Sequence, residues 1–237
     1  SGDNVGPDGS DTVTPPKAKV CATIGPHLFL GNIDYVNGSI SGSSDSVWWS
    51  AHNDPETFAE AFYPAGQANV LVLTQTPGQI TALVGGDTRG YAFKQRAIHA
   101  LTYVGGELVF TNQVVANDIG TLYPKSIVSV GRDVYFFSAS GFAVLRGGQT
   151  VELVGSEVQK YIMDQEYNDK ALNPATEYES KFRDNTIIGM YDQNTGLIVW
   201  MYRPVDSSEK LYKSHGVVYN PFEDRWSRLE DSTLTVS

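Results

Sequence analysis

The stretch Pro124–Gly155, PKSIVSVGRDVYFFSASGFAVLRGGQTVELVG, constrains the fold more than any other part of this chain. Its apolar runs are rich in Val, Ile, Phe and Tyr, residues that fit a pleated, half-buried surface. Gly131, Gly141, Gly147 and Gly148 interrupt those runs before any grows long enough for a stable helix. The pattern reads as an antiparallel meander of SIVSVGRDVYFFSA, GFAVLRGG and TVELVG. Within it, Val128–Phe137 and Phe142–Leu145 are expected to be neighbouring strands, with Ser138–Gly141 as their turn.

Echoes of this stretch recur. YAFKQRAIHALTYVGG aligns with VYFFSASGFAVLRGG, and paired glycines, Gly105–Gly106 and Gly147–Gly148, close each. The offset is about 42 residues, the spacing of propeller blades. Blade-like text appears in five places. The first is HLFLGNIDYV with SVWWSA, joined by NGSISGSSD. The second runs from NVLVLTQ to ELVF, with core strands QITALVGG, RGYAFKQ and AIHALTYVGG. The third is the opening stretch. The fourth, SKFRDNTIIGMYDQNTGLIVWMYRPV, turns at Asp192–Gly196, and the fifth, LYKSHGVVYNPFEDRWSRLE, turns at Asn220–Asp224. Five units fit an all-β propeller of four-stranded antiparallel blades, either complete or part of a larger ring.

Residues 1–26, rich in Gly, Asp, Ser and Pro, read as a flexible N-terminal segment, and residues 27–237 as the propeller domain. Two short helical pieces interrupt the strand pattern. Asp54 is placed to cap a turn begun by Pro55, with Phe58 and Phe62 on one face. Val158, Tyr161 and Ile162 fall at helical spacing and predict a short amphipathic helix over Glu157–Asp164.

Seventeen Lys and Arg stand against 27 Asp and Glu, a net charge of −10. Phosphate affinity comes mainly from Lys and Arg, so a chain this acidic is a poor candidate for gripping nucleic acid over a broad basic face, whereas a wall that DNA slides past without sticking suits it. The single cysteine, Cys21, allows neither an internal disulfide nor a cysteine-built zinc site and reads as a small apolar strand residue. No apolar run approaches the roughly 18 residues of a membrane-spanning helix. The N-terminal text lacks the charged-then-apolar layout of a secretory signal.

Chemistry-bearing residues are scattered. Asp45, Asp87, Asp133, Asp184 and Asp192 are the candidates for a glycosidase acid pair, which needs two carboxyls about 5–9.5 Å apart. Nearly all of them lie in turn text, GGD, GRD, RDN and YDQN, where aspartate bonds local backbone N–H groups. His27, His52, His99 and His215 show no HxH or HExxH spacing. The GGD and GGQ pairs lack a phosphate-loop setting, and no GxSxG elbow is present. The expectation is therefore no catalytic, cofactor-binding or metal-binding residue. Trp226 and Tyr219 read as core fillers. Of Trp48 and Trp49, neighbours on a strand, one should face inward and the other outward, as an interface anchor or beneath a loop.

Four segments carry a resemblance: VWWSAHNDPETF, GQITALVGGDTRGYAFKQRAIHAL, IGTLYPKSIVSVGRDVYFFSASGFAVLRGGQTVELVG and VVYNPFEDRWSRLE. In their order and spacing, from Trp48 to Leu229, they resemble the β-propeller tail and head-to-tail connector proteins of tailed bacteriophages, the hub, DNA-stabilisation and nozzle proteins. The resemblance implies a structural virion protein without enzymatic activity. It implies several copies, six in the family pattern, arranged around a channel that retains double-stranded DNA and releases it on ejection. Partners would be further copies and portal, adaptor or other tail proteins, with residues 1–19 as an arm that orders on binding. Two other readings stay open: a glycan-binding or glycan-hydrolysing propeller, and a kelch-like scaffold for a partner protein.

Overall fold

The computed structural model describes residues 16–35, 43–58, 68–158, 187–202 and 215–229. These residues are almost entirely β, in four sheets of four strands. The first sheet contains β1 (Lys17–Ile24), β2 (His27–Tyr35), β3 (Ser46–Trp49) and β4 (Asn69–Val72). The second contains β5 (Ile80–Val84), β6 (Arg89–Lys94), β7 (Ile98–Tyr103) and β8 (Phe110–Ala116). The third contains β9 (Val128–Val130), β10 (Asp133–Ser138), β11 (Gly141–Arg146) and β12 (Thr150–Leu153), and the fourth β13 (Ile187–Asp192), β14 (Leu197–Tyr202), β15 (His215–Asn220) and β16 (Arg225–Leu229). In every sheet the strands lie side by side in chain order. Each adjoining pair is antiparallel. A four-stranded meander repeated in this way is the blade of a β-propeller, and that is the fold class of the chain.

The expected β10–β11 hairpin is present, with Phe137 opposite Phe142 and Ser138 opposite Gly141. The blade count and several boundaries differ from the sequence expectation. The described residues form four sheets, not five units, because the fourth and fifth stretches are halves of one sheet joined through the β14–β15 ladder. NVLV, expected to open the second unit, closes the first sheet as β4. Val128–Phe137 is two strands, since Gly131, at φ 61°, and Arg132 turn the chain between β9 and β10. A left-handed φ is one that glycine adopts without steric cost.

Part of the expected flexible segment, residues 1–26, is a strand. Lys17–Ile24 pairs along its length with β2, and its alternation of Lys, Ala, Lys, Val, Cys, Ala, Thr and Ile matches the two-residue period of a strand with one buried face. Asp54 does cap a turn: its carboxylate accepts from the Glu56 N–H at 3.2 Å and the Thr57 hydroxyl at 2.8 Å. No helix follows through Phe58, and Phe62 lies outside the described residues. Residues 156–158 are helical and Val158 packs on the aromatic core, while Tyr161 and Ile162 lie outside the described residues.

The chain divides into two compact units at Thr121–Leu122. In the first, β1 lies beside β5, and the two sheets enclose Ile24, Phe29, Val47, Trp49, Ile80, Leu101 and Phe110. In the second, β9 lies beside β13, and the enclosed core is strongly aromatic. Trp200, fully buried, has its ring 4.5 Å from Phe142 and donates from Nε1 to the Ser126 carbonyl at 2.8 Å. That carbonyl also needs Gly189, where a Cβ would come within 2.5 Å of Val128 and 2.7 Å of the Ser126 oxygen.

Candidate functional site

The structure gives each sequence-selected aspartate a local task or leaves it in a loop. Asp192 ends β13 and accepts from the Asn194 N–H at 2.9 Å and the Thr195 hydroxyl at 2.7 Å. Those hydrogen bonds hold its pKa below the ordinary carboxylate value. Asp133 accepts from the Gly147 N–H at 2.8 Å and pairs with Arg146 at 2.9 Å. Asp45 accepts from the Ser43 hydroxyl within one tight turn. Asp87 is exposed between β5 and β6, and Asp184 lies outside the described residues. Asp45 and Asp87 belong to the first unit, Asp133 and Asp192 to different sheets of the second.

Of the histidines, His27 and His99 are buried, His52 is exposed, and the side chain of His215 lies outside the described residues. His27 donates from Nδ1 to the Ser50 carbonyl at 2.7 Å, with its ring 5.2 Å from Phe110 and 5.5 Å from His52. His99 donates from Nδ1 to Asn112 Oδ1 at 2.9 Å, leaving Nε2 to accept from the Thr76 hydroxyl at 2.7 Å. Burial lowers both pKa values. Among the described residues no group of three or more His, Cys, Asp or Glu is placed to hold a metal ion.

Sequence reasoning missed Lys94. It ends β6 fully buried, and Nζ donates to the carbonyls of Leu73 at 2.6 Å and Thr76 at 2.7 Å. Burial pulls its pKa down, and the Asp45 charge opposes that shift. With Thr76, His99, Asn112 and Gln75 it forms a polar chain tying residues 73–76 to β6, β7 and β8. The signal was a lysine ending an apolar strand where the aligned hairpin carries Ser138.

The tryptophans divide as their positions require. Trp49 faces inward and stacks on Phe29 at 5.7 Å. Trp48 faces outward, half-buried, between Leu30 and Val70. Tyr219 and Trp226 stack at 4.5 Å in the core. Tyr219 donates to Asp224 at 2.9 Å, and burial, with Asp224, pushes its pKa up to about 12. Cys21 is in a strand as expected but exposed, and it lines a cavity of 570 Å³ with Lys19, Leu28, Leu30, Pro55 and Phe58.

The fourth sheet carries apolar residues on both faces. Tyr191, Ile198, Tyr219 and Trp226 point into the aromatic core. The opposite face is built from cross-strand rows: Ile188, Met201, Gly216 and Leu229, then Met190, Val199, Val218 and Ser227. A third row, Asp192, Leu197, Asn220 and Arg225, gives it a polar rim. Ile188 and Leu229 are 43% exposed and Met190 52%. Contiguous apolar area with a polar border is what an interaction surface presents.

No protein-family model matches this chain, and no curated protein matches it. Among solved structures, it is similar to "Kluyveromyces lactis Hsv2 complete loop 6CD", with 11% sequence identity and a TM-score of 0.37 over 90% of this chain and 60% of that one. The chain thus spans less than two thirds of that protein's length. Among the described residues no helix is long and apolar enough to cross a membrane.

Proposed function

We propose that the chain is a structural component of a tailed-phage virion, in the tail hub, nozzle or head-to-tail junction, where several copies surround the DNA channel. The observation that carries this reading is the partly exposed apolar outer face of β13–β16, six of whose positions are Ile188, Met190, Val199, Met201, Val218 and Leu229. Keeping such a face in water has a cost at roughly 25 cal/mol per Å² of apolar surface, and burial against a partner recovers it. The resemblance running from Trp48 to Leu229 supplies the setting. A net charge of −10 suits a wall that packaged DNA passes without adhering. The described aspartates are spread over separate turns and sheets, which favours an assembling module over a glycosidase.

Mass spectrometry of purified particles is the direct test, with the chain expected in stoichiometric amounts beside portal and tail proteins. Asp87→Asn, Asp133→Asn and Asp192→Asn should leave its incorporation unchanged. A chain absent from particles that cleaves a polysaccharide, and loses that activity on one of these changes, would establish the glycan-processing alternative.

A further inference from the structure

Within each unit, sheet stacks on sheet with their first strands adjacent, as β1 lies beside β5 and β9 beside β13. β6, β7, β10 and β11 are buried on both faces along nearly their whole lengths. The first and fourth sheets behave otherwise. β14 alternates between buried and half-buried positions, and β1 between half-buried and exposed positions up to Ile24. Each has one buried face and one more exposed face among the described residues. The outer face of the first sheet carries the apolar row Cys21, Leu30, Trp48 and Val70, with Leu28 and Val72 beside it, bordered on β1 by the exposed Lys17, Lys19 and Thr23. Pro55 and Phe58 border the 570 Å³ cavity on that face.

We propose that copies of this chain associate head to tail, the outer face of β13–β16 on one copy stacking on the outer face of β1–β4 of a second copy. This rests on the assembly reading above and supplies its contact. Continuity selects the partner. A second copy placed with its β1 beside β13 repeats the stacking that each unit already uses, whereas two β13–β16 sheets related by a two-fold axis depart from it. The two faces also differ in kind. One is aliphatic and carries Met190 and Met201, adaptable side chains suited to an irregular surface, and the other has the outward Trp48 and a recess beside it. A contact between unlike faces is heterologous, so it generates a ring or filament rather than a closed pair.

The test is molar mass in solution by light scattering, using the full chain with one charge placed on each face. Met190→Asp and Val72→Asp sit at positions 52% and 44% exposed, so the fold accommodates either. The wild-type chain should associate, and each variant alone should run at the mass of one 25.9 kDa chain. An equimolar mixture should run at twice that mass, because the intact first sheet of one variant meets the intact fourth sheet of the other. A monomeric wild type overturns the contact, as does a mixture that stays monomeric. Association untouched by Val72→Asp also overturns it, pointing to self-pairing of the fourth sheet. None of these outcomes decides the virion reading, which particle composition tests separately.

Discussion

Two hairpins of the same design, β6–β7 and β10–β11, are stabilised in different ways. Tyr91 and Tyr135, Phe93 and Phe137, and Leu101 and Leu145 occupy matching positions 44 residues apart. Their registers agree, with Phe93 opposite Ile98 and Phe137 opposite Phe142. The hairpins diverge where Lys94 replaces Ser138 and His99 replaces Ala143. Ser138 closes its turn locally: its hydroxyl donates to the Gly141 carbonyl at 2.8 Å and accepts from the Ser140 N–H at 3.1 Å. Lys94 and His99 instead reach residues 73–76, more than twenty positions earlier in the chain for Lys94–Leu73 and His99–Thr76. The aromatic hairpin obtains its long-range stability from Phe142, packed 4.9 Å from Phe137, 4.5 Å from Trp200 and 5.0 Å from Trp226. To a shared apolar packing one blade adds an aromatic cluster and the other a buried polar tie, and a common backbone register carries both.

The sharpest way to break this comparison is Phe142→Ala. It removes a fully buried ring that touches three aromatic neighbours, and such truncations cost about 3–5 kcal/mol. Ile98→Ala, at the matching position, should cost less, about 2–4 kcal/mol, because a smaller side chain leaves a smaller cavity. Urea denaturation of both variants measures the difference. Equal costs would mean that the aromatic cluster adds nothing beyond ordinary burial.

Lys94→Met tests the polar side. The methionine keeps most of the volume but leaves the Leu73 and Thr76 carbonyls without their donor, at roughly 1–3 kcal/mol for each buried group. Removing a buried, desolvated ammonium offsets part of that cost. A net loss of about 2 kcal/mol is expected, together with faster amide exchange along residues 73–76. Ser138→Ala, which breaks only a local bond, should cost about 1 kcal/mol and leave exchange in other segments unchanged.

Much of this fold was legible because strands announce themselves by period. The β5, β6 and β7 cores and the β10–β11 hairpin could be read from runs of Val, Ile, Phe and Tyr between glycines. That Trp48 and Trp49 face opposite ways followed from alternation alone, whereas which of them faces inward needed the ladder with β2. What could not be read was pairing between distant segments. NVLV carries no mark assigning it to β3 rather than β5, and nothing in LIVWMY or HGVVYN says that they share a ladder. β1 was missed because its lysines and threonine dilute an apolar face that only β2 reveals. Lys94 was missed for the same reason. Its acceptors are backbone carbonyls, which every residue has, so no motif could point to them. The outer face of β13–β16 is likewise a property of register, since Ile188, Met201 and Leu229 become one row only once three ladders are fixed.

The smallest expected effect concerns pH, and it again separates the two hairpins. His99 is buried, with a native pKa below the ordinary 6.5, while in the unfolded chain it titrates near that value. Between the two values the unfolded state binds more protons than the native state, so stability falls as pH drops through about 6.5 toward the native pKa. His27, also lowered by burial, acts in the same direction. Each contributes a slope of at most about 1.4 kcal/mol per pH unit, and the window from pH 6.5 to 5 lies above most carboxylate titrations. His99→Gln keeps an amide donor for Asn112 but cannot titrate, so it should remove about half of the slope in urea midpoints over that window. Ala143→Ser, at the matching position of the aromatic hairpin, introduces no titrating group and should leave the slope as it is in the wild type. A His99→Gln variant as acid-sensitive as the wild type would show that the polar tie accommodates a protonated histidine, and that its difference from the aromatic hairpin is one of shape rather than of charge.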